Sequence, residues 1–224
     1  MHIEPGLVDS TKIVLSYATA ATGAAFAARM AWQHVRVDGL PSLILRGAIA
    51  TVLVFVFFEV FPHMPVGVSE VHLILGSSLF LIFGAAPTAI GLVAGLMIQS
   101  FFVSPADLPQ LGMNVTTLLA ALFAMQEVAK RIVPANLAYV DLSYAHVFRL
   151  SLVFQGAIVS WVAFWTIYGQ GLSPATLQSV ATFGAAYMTV LLLEPLIDMA
   201  VLAGAKALRG RPGTALLASR RLYA

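Results

Sequence analysis

Long apolar runs broken by short polar stretches set the pattern of this chain. Seven segments read as membrane spans: about 12–33, 43–61, 71–87, 88–103, 111–130, 147–168 and 175–205. The second is nearly unbroken from Ile49 through Phe58. The first is Ala-rich and only weakly hydrophobic, so it is expected to pack inside a bundle rather than face lipid. The third and fourth share only 33 residues around Pro87, where two full crossings would want roughly 40. One or both are therefore expected to be short, or to form a re-entrant pair lined by protein. Gly84, Gly91 and Gly95 would let these helices approach closely. The pattern predicts an all-α fold: a polytopic membrane helical bundle of about seven transmembrane segments.

Composition agrees. Sixty per cent of the 224 residues are hydrophobic and 10% are charged, against about a quarter charged in soluble domains. That makes one integral-membrane domain over 1–224: an N-terminal segment 1–11, a bundle 12–208 and a basic tail 209–224. No secretory leader is evident in the first residues. The absence of cysteine excludes disulfides and thiolate metal sites.

Charge adds the orientation. With the N-terminus outside, Arg29, Arg36, Arg46, Lys130, Arg131, Arg149, Lys206, Arg209, Arg211, Arg220 and Arg221 all fall at inner ends. Only Lys12 falls outside, and the loops 62–70, 104–110 and 169–174 carry no Lys or Arg. This is the positive-inside distribution. It predicts a multi-pass plasma (inner) membrane protein with a cytoplasmic C-terminus. The basic pI is thereby explained, with no nucleic acid among the expected partners.

The outer side then gathers the chemistry. If Met1 is retained as the first residue, its α-amine, the backbone nitrogen of His2 and the His2 Nδ1 can hold one metal ion. The two chelate rings force three nitrogens into one plane, and a fourth would complete the square-planar geometry favoured by Ni(II) and Cu(II). A histidine in a short terminal sequence is commonplace by itself, so the rest of the chain decides. Glu4, Asp9, Glu59, Glu70 and Asp107, half of the acidic residues, fall on that side and would attract a divalent cation. Taken singly, each such acid is an ordinary loop residue. His63 beside Met64 is an assistant in metal capture or simply exposed, whereas His34 and His146 lie near the inner interface. Glu194 and Asp198 are intramembrane acids, functional by default. Pro195 is expected to end the span near the inner interface and leave both partly wet.

Met1-His2-Ile3-x-x-Gly6, the Gly67-x-Ser69-x-x-His72 loop, Gln99 before an outer loop, and Leu111-Gly112-x-Asn114 together resemble the CbiM/NikM family. Those proteins are the substrate-binding (S) components of energy-coupling-factor (ECF) cobalt and nickel ABC transporters. The resemblance implies an N-terminus inserted into the helical core. It also implies a metal site of the Met1 amine, two nitrogens of His2 and one of His72. Gln99 and Asn114 would be hydrogen-bond partners orienting these ligands, or ordinary interhelical polar contacts. Ser69, Glu70 and His63 surround the same loop. This chain departs from the family pattern at Val71, where a small residue is usual, and at Thr117, where a second asparagine is often found. Glu70, two residues ahead of His72, is a weak capture ligand or, as favoured from sequence, a solvated side chain.

The function implied is the metal-binding component of a nickel or cobalt uptake system. The transported Ni(II) or Co(II) is the cargo, and no cofactor is expected. No Walker A pattern is present, so a transmembrane coupling protein and ATPase subunits are implied partners, with a small accessory membrane subunit and surrounding lipid. A membrane metal-dependent enzyme is the alternative of another class, without an H-E-x-x-H pair or G-x-S-x-G elbow to support it. A non-transporting metal sensor or scaffold is a third.

Overall fold

A computed structural model of the protein describes residues 3–223; Met1, His2 and Ala224 lie outside the described residues. Helix α1 (Val14–Asp38) turns at Gly39 into α2 (Leu40–Glu59), and a hairpin of β1 (His63–Val66) and β2 (Ser69–His72) follows. After it come α3 (Gly76–Phe83), α4 (Ala85–Phe102), a 3-10 turn (Pro105–Gln110) and α5 (Leu111–Ile132). A second 3-10 turn (Tyr139–Asp141) leads to α6 (Tyr144–Gln170) and α7 (Pro174–Met188). A third (Thr189–Leu192) leads to α8 (Glu194–Ala207), and the chain ends in the short helices α9 (Thr214–Leu217) and α10 (Arg220–Tyr223).

Five stretches are long and apolar enough to cross a membrane: 40–59, 85–102, 105–132, 144–170 and 174–207. The other two expected spans differ for separate reasons. Segment 71–87 begins as strand and contains only the eight residues of α3, about 12 Å of helix and too short to cross. α1 has 25 residues, about 37 Å, but its Ala- and Thr-rich sequence lowers its hydropathy. It also lies on the surface, with Ser16 and Met30 its only buried residues among those described. The expectation that α1 packs inside was wrong. Its small side chains fill little volume and serve a narrow seam, where Ser16 crosses Gly112 of α5.

The centre belongs instead to α5 and α6. α5 is buried along most of its first four turns, Met113, Leu118, Leu122 and Met125 among them, as a helix enclosed by others must be. α6 contributes Leu150, Phe154, Ile158, Val162 and Trp165, all fully buried. α4 lies between α2 and α5, and two of the expected glycines bring α2 close. A Cβ on Gly91 would sit 2.5 Å from Ala50, and one on Gly95 2.6 Å from Val54. Gly84 has a different job from the one its spacing suggested. At φ +85 it is the hinge residue between α3 and α4, a left-handed conformation costly for other residues.

The hairpin is a β element in a region expected to be loop. Val66, Val68 and Val71 supply β-branched residues, and Gly67 at φ +62 opens the two-residue turn. At the opposite end, the tail folds back over the bundle. Ser219 donates its N–H to Ile82 O at the end of α3, Arg220 bonds Val37 O, and Arg221 bonds Pro134 O.

Candidate metal centre

The hairpin presents one strand to water and one to the bundle. β1 is mostly exposed, whereas Ser69 and His72 at the two ends of β2 are buried. On the side of β2 away from β1, the N-terminal segment adds a short third rung. Ile3 pairs antiparallel with Ser69, and Glu4 N–H bonds Val68 O at 3.2 Å. The first turn of α5 holds the same segment from below, with Asn114 Oδ1 accepting the Ile3 N–H at 3.0 Å. Farther along, the segment crosses the end of α6 so closely that a Cβ on Gly169 would lie 2.1 Å from Leu7 O. Lys12 closes this crossing by donating to Tyr168 O and Gly169 O, carbonyls at the negative end of the α6 dipole. The N-terminal segment is thus fastened at residues 3, 4, 7 and 12.

His72 stands under this segment. Its register partner on β1 is His63, and the two rings stack 5.0 Å apart at 15°. Phe58 meets His72 edge-on at 5.1 Å. The imidazole is only 2% exposed, and that burial pushes its pKa well below the ordinary histidine value. The ring is therefore neutral at physiological pH. Its Nε2 lies 2.9 Å from Glu70 Oε2. An ionised carboxylate only accepts, so Nε2 carries the hydrogen and the lone pair resides on the buried Nδ1. A carboxylate gripping the far side of an imidazole in this way fixes the tautomer and orientation of a metal-ligating histidine.

This corrects the solvated reading of Glu70. In the pleat it sits two residues from His72 and hence on the same side of β2, close enough to bond the ring. The spacing held that information, although it was read as a loop. Glu4 and Glu70 also act electrostatically on Asp107, so three acids crowd this end. Asp9 is occupied elsewhere. It accepts from Thr11 and Lys12 and pairs with Lys12, and the Thr11 hydrogen bond chiefly lowers its pKa.

The remaining predicted positions separate. Asn114 touches the N-terminal segment directly. Gln99 turns its Nε2 to Ser104 Oγ at 3.2 Å, and its Oε1 is buried without a partner among the described residues. Thr117, at the departure from the family pattern, bonds Met113 O within its own helix and does not replace an asparagine's reach. His63 is exposed but joined to the site by stacking. Met1 and His2, two of the three expected metal-binding residues, lie outside the described residues. Among the described residues, no three His, Cys, Asp or Glu side chains are gathered closely enough to hold a metal. Phe58 and the Gly169 crossing were missed from sequence. Both lie in apolar runs, where nothing local marks the partner.

No curated protein matches the sequence significantly. Two solved structures share the fold. One is a transition metal transporter, 19% identical with a TM-score of 0.67 and 93% of each chain covered. The other is a truncated transition metal transporter, 18% identical with a TM-score of 0.62, covering 93% of this chain and 97% of that one. Residues 2–211 match the family described as the cobalt uptake substrate-specific transmembrane region. With that match running through nearly all of the bundle, the chain belongs to the CbiM family of membrane-embedded metal uptake proteins.

Proposed function

We propose that the protein is the metal-binding component of an energy-coupling-factor ABC transporter that takes up Ni(II) or Co(II). The cargo is held by four nitrogens: the Met1 amine, the His2 amide and imidazole Nδ1, and His72 Nδ1. The observation that carries this reading is the juxtaposition of His72 with the tethered N-terminal segment. Ile3 is fastened to Ser69 and Asn114, and two residues reach at most about 7 Å. A ligand set drawn from the two residues before Ile3 would therefore be within reach of β2. His72 offers such a set a neutral ring with its Nε2 already gripped by Glu70.

A planar set of four nitrogens suits Ni(II) and accommodates Co(II). Binding displaces protons from the amine and the amide, so affinity rises with pH. The hairpin end faces outward, where Glu4, Glu70 and Asp107 concentrate divalent cations. The chain carries no nucleotide-binding motif, so a coupling protein and ATPase subunits supply the work. Calorimetry with Ni(II) and Co(II) on protein beginning at Met1, against protein extended by one residue, tests the terminal chelate. Tight binding with a yellow square-planar Ni(II) spectrum is expected only without the extension. Equal affinity in both would overturn the terminal-amine site.

A further inference from the structure

A second polar centre lies far from the hairpin, between α3, α6 and α8. Glu194 and Asp198 stand one turn apart on α8, and both are fully buried, so Pro195 does not leave them at a wet interface. No Lys, Arg or His forms an ion pair with either among the described residues. Their neighbours are hydroxyls, an amide and two backbone N–H groups at the start of α3, that of Ser77 at Glu194 and that of Ser78 at Asp198. Ser77 Oγ lies 2.6 Å from Asp198 Oδ2 and 3.0 Å from Glu194 Oε1. Ser151 Oγ lies 3.0 Å from Asp198 Oδ2, and Ser78 Oγ bonds Asp198 Oδ1. Gln155 Nε2 donates to Glu194 Oε2 at 2.5 Å.

Counting hydrogens shows that one is missing from this arrangement. The Ser77 hydroxyl has a single proton but sits between two carboxyl oxygens, and it can donate to only one of them. Were both acids ionised, the other contact would set a carboxylate lone pair against the lone pairs of Ser77. Two adjacent anions without a cation would also be very costly in apolar surroundings. One added proton resolves both problems. Asp198 has the larger set of donors, namely Ser77, Ser78 and Ser151, and is therefore the anion. Glu194 is then the acid, donating to Ser77 Oγ while its other oxygen accepts from Gln155.

Two further groups bear on proton exchange at this carboxyl. The Tyr187 hydroxyl and Gln155 Oε1 are completely buried and have no hydrogen-bond partner among the described residues. Tyr187 interacts electrostatically with Glu194, and Gln155 touches it. The Tyr187 hydroxyl, which both donates and accepts, is a position through which a proton can be handed to or taken from Glu194, whereas the Gln155 amide oxygen only accepts a hydrogen bond. On α6, Tyr144 and Arg149 are exposed, His146 bonds Ser143 and Tyr168 lies under Lys12, and the titratable groups on the other elements packed against α8 are engaged elsewhere. Asp141 pairs with Lys206 and Arg209, Tyr223 bonds Ala205 O, and Tyr139 lies against Arg221.

We infer that Glu194 and Asp198 form an intramembrane proton-binding site, holding one proton on the Glu194 carboxyl and relaying it through Ser77 Oγ to the Asp198 carboxylate. Losing the proton leaves a dianion between α3 and α8. The site therefore releases it only when water enters or another cation takes its place. The inference does not depend on the metal chelate.

Infrared spectroscopy of the metal-free protein in lipid vesicles at neutral pH tests it. The expected result is the C=O stretch of a protonated carboxyl, shifted in D2O and lost in Glu194→Gln, whose amide donates to Ser77 as the acid did. Ser77→Ala retains the band but moves it upward, because the carboxyl loses its acceptor. Far-ultraviolet circular dichroism and thermal melting of both variants, matching the wild type, report that they are folded. Absence of the band in the wild type, or its survival in Glu194→Gln, would overturn the proposal.

Discussion

The two ends of the bundle handle charge in opposite ways. At the tail end every acid is answered. Asp38 takes Arg46, Arg220 and His34, and Asp141 takes Lys206 and Arg209. Arginines there also close exposed carbonyls, as Arg46 does at Leu216 O and Arg221 at Pro134 O. At the hairpin end, Glu4 and Glu70 both act on Asp107, while Lys12 is committed to Asp9 and the end of α6. One end is laced with ion pairs and structural. The other gathers its acids beside a neutral imidazole, the arrangement that draws in a cation.

That contrast is most readily broken at His72. Truncation to alanine removes the one expected ligand side chain in the described part of the site, so Ni(II) affinity should fall by more than about 100-fold, measured by calorimetry. Glu70→Gln keeps the ring but weakens the grip on Nε2, and a loss of about 10- to 100-fold is expected. If Glu70→Gln bound as tightly as the wild type, the Glu70 contact would be packing alone. Asn114→Ala leaves the Ile3 N–H buried without its acceptor, which costs about 1–3 kcal/mol. Part of that cost should appear as roughly tenfold weaker binding, with the His72 ring environment unchanged by NMR.

Asp141→Asn should leave metal affinity untouched and change only the acid side of the stability profile. The Lys206 hydrogen bond holds the Asp141 carboxyl below its ordinary value. Its contribution is therefore fully present above about pH 4, and is lost as pH falls through the lowered folded-state value. Thermal denaturation from neutral to acid pH should show a shallower decline in Asp141→Asn. A change in Ni(II) affinity in this variant would join the two ends that the structure separates.

The sequence spoke clearly where physics is local. Apolar runs marked five spans, and Gly91 and Gly95 marked a face of close approach, because a helix repeats its own face, although the helix that uses it is α2 rather than the neighbouring segment expected. It was silent where contacts depend on distant partners. Nothing around Ile3 shows that it will add to β2, and nothing in α3 shows that Ser77 will meet Glu194 and Asp198 across 117 and 121 residues. α1 misled for a related reason. Low hydrophobicity was read as a sign of interior packing, but side chains as small as alanine fill no core. Glu70 failed through category: once 63–72 is taken as loop, the two-residue spacing to His72 loses its meaning as one side of a strand.

The backward fold of the tail bears on how the protein is made. Residues 216–221 cap carbonyls or bond side chains that belong to α1, α2, α3 and the stretch after α5. Until that stretch is made, the Val37 and Ile82 carbonyls lack these donors, Pro134 O has only the Leu137 N–H, and Arg46 lacks its Leu216 acceptor. Assembly of this end therefore waits on residues 216–221. A nascent chain stalled short of residue 216 would present an unfinished base to the quality-control proteases, even with its membrane helices already inserted.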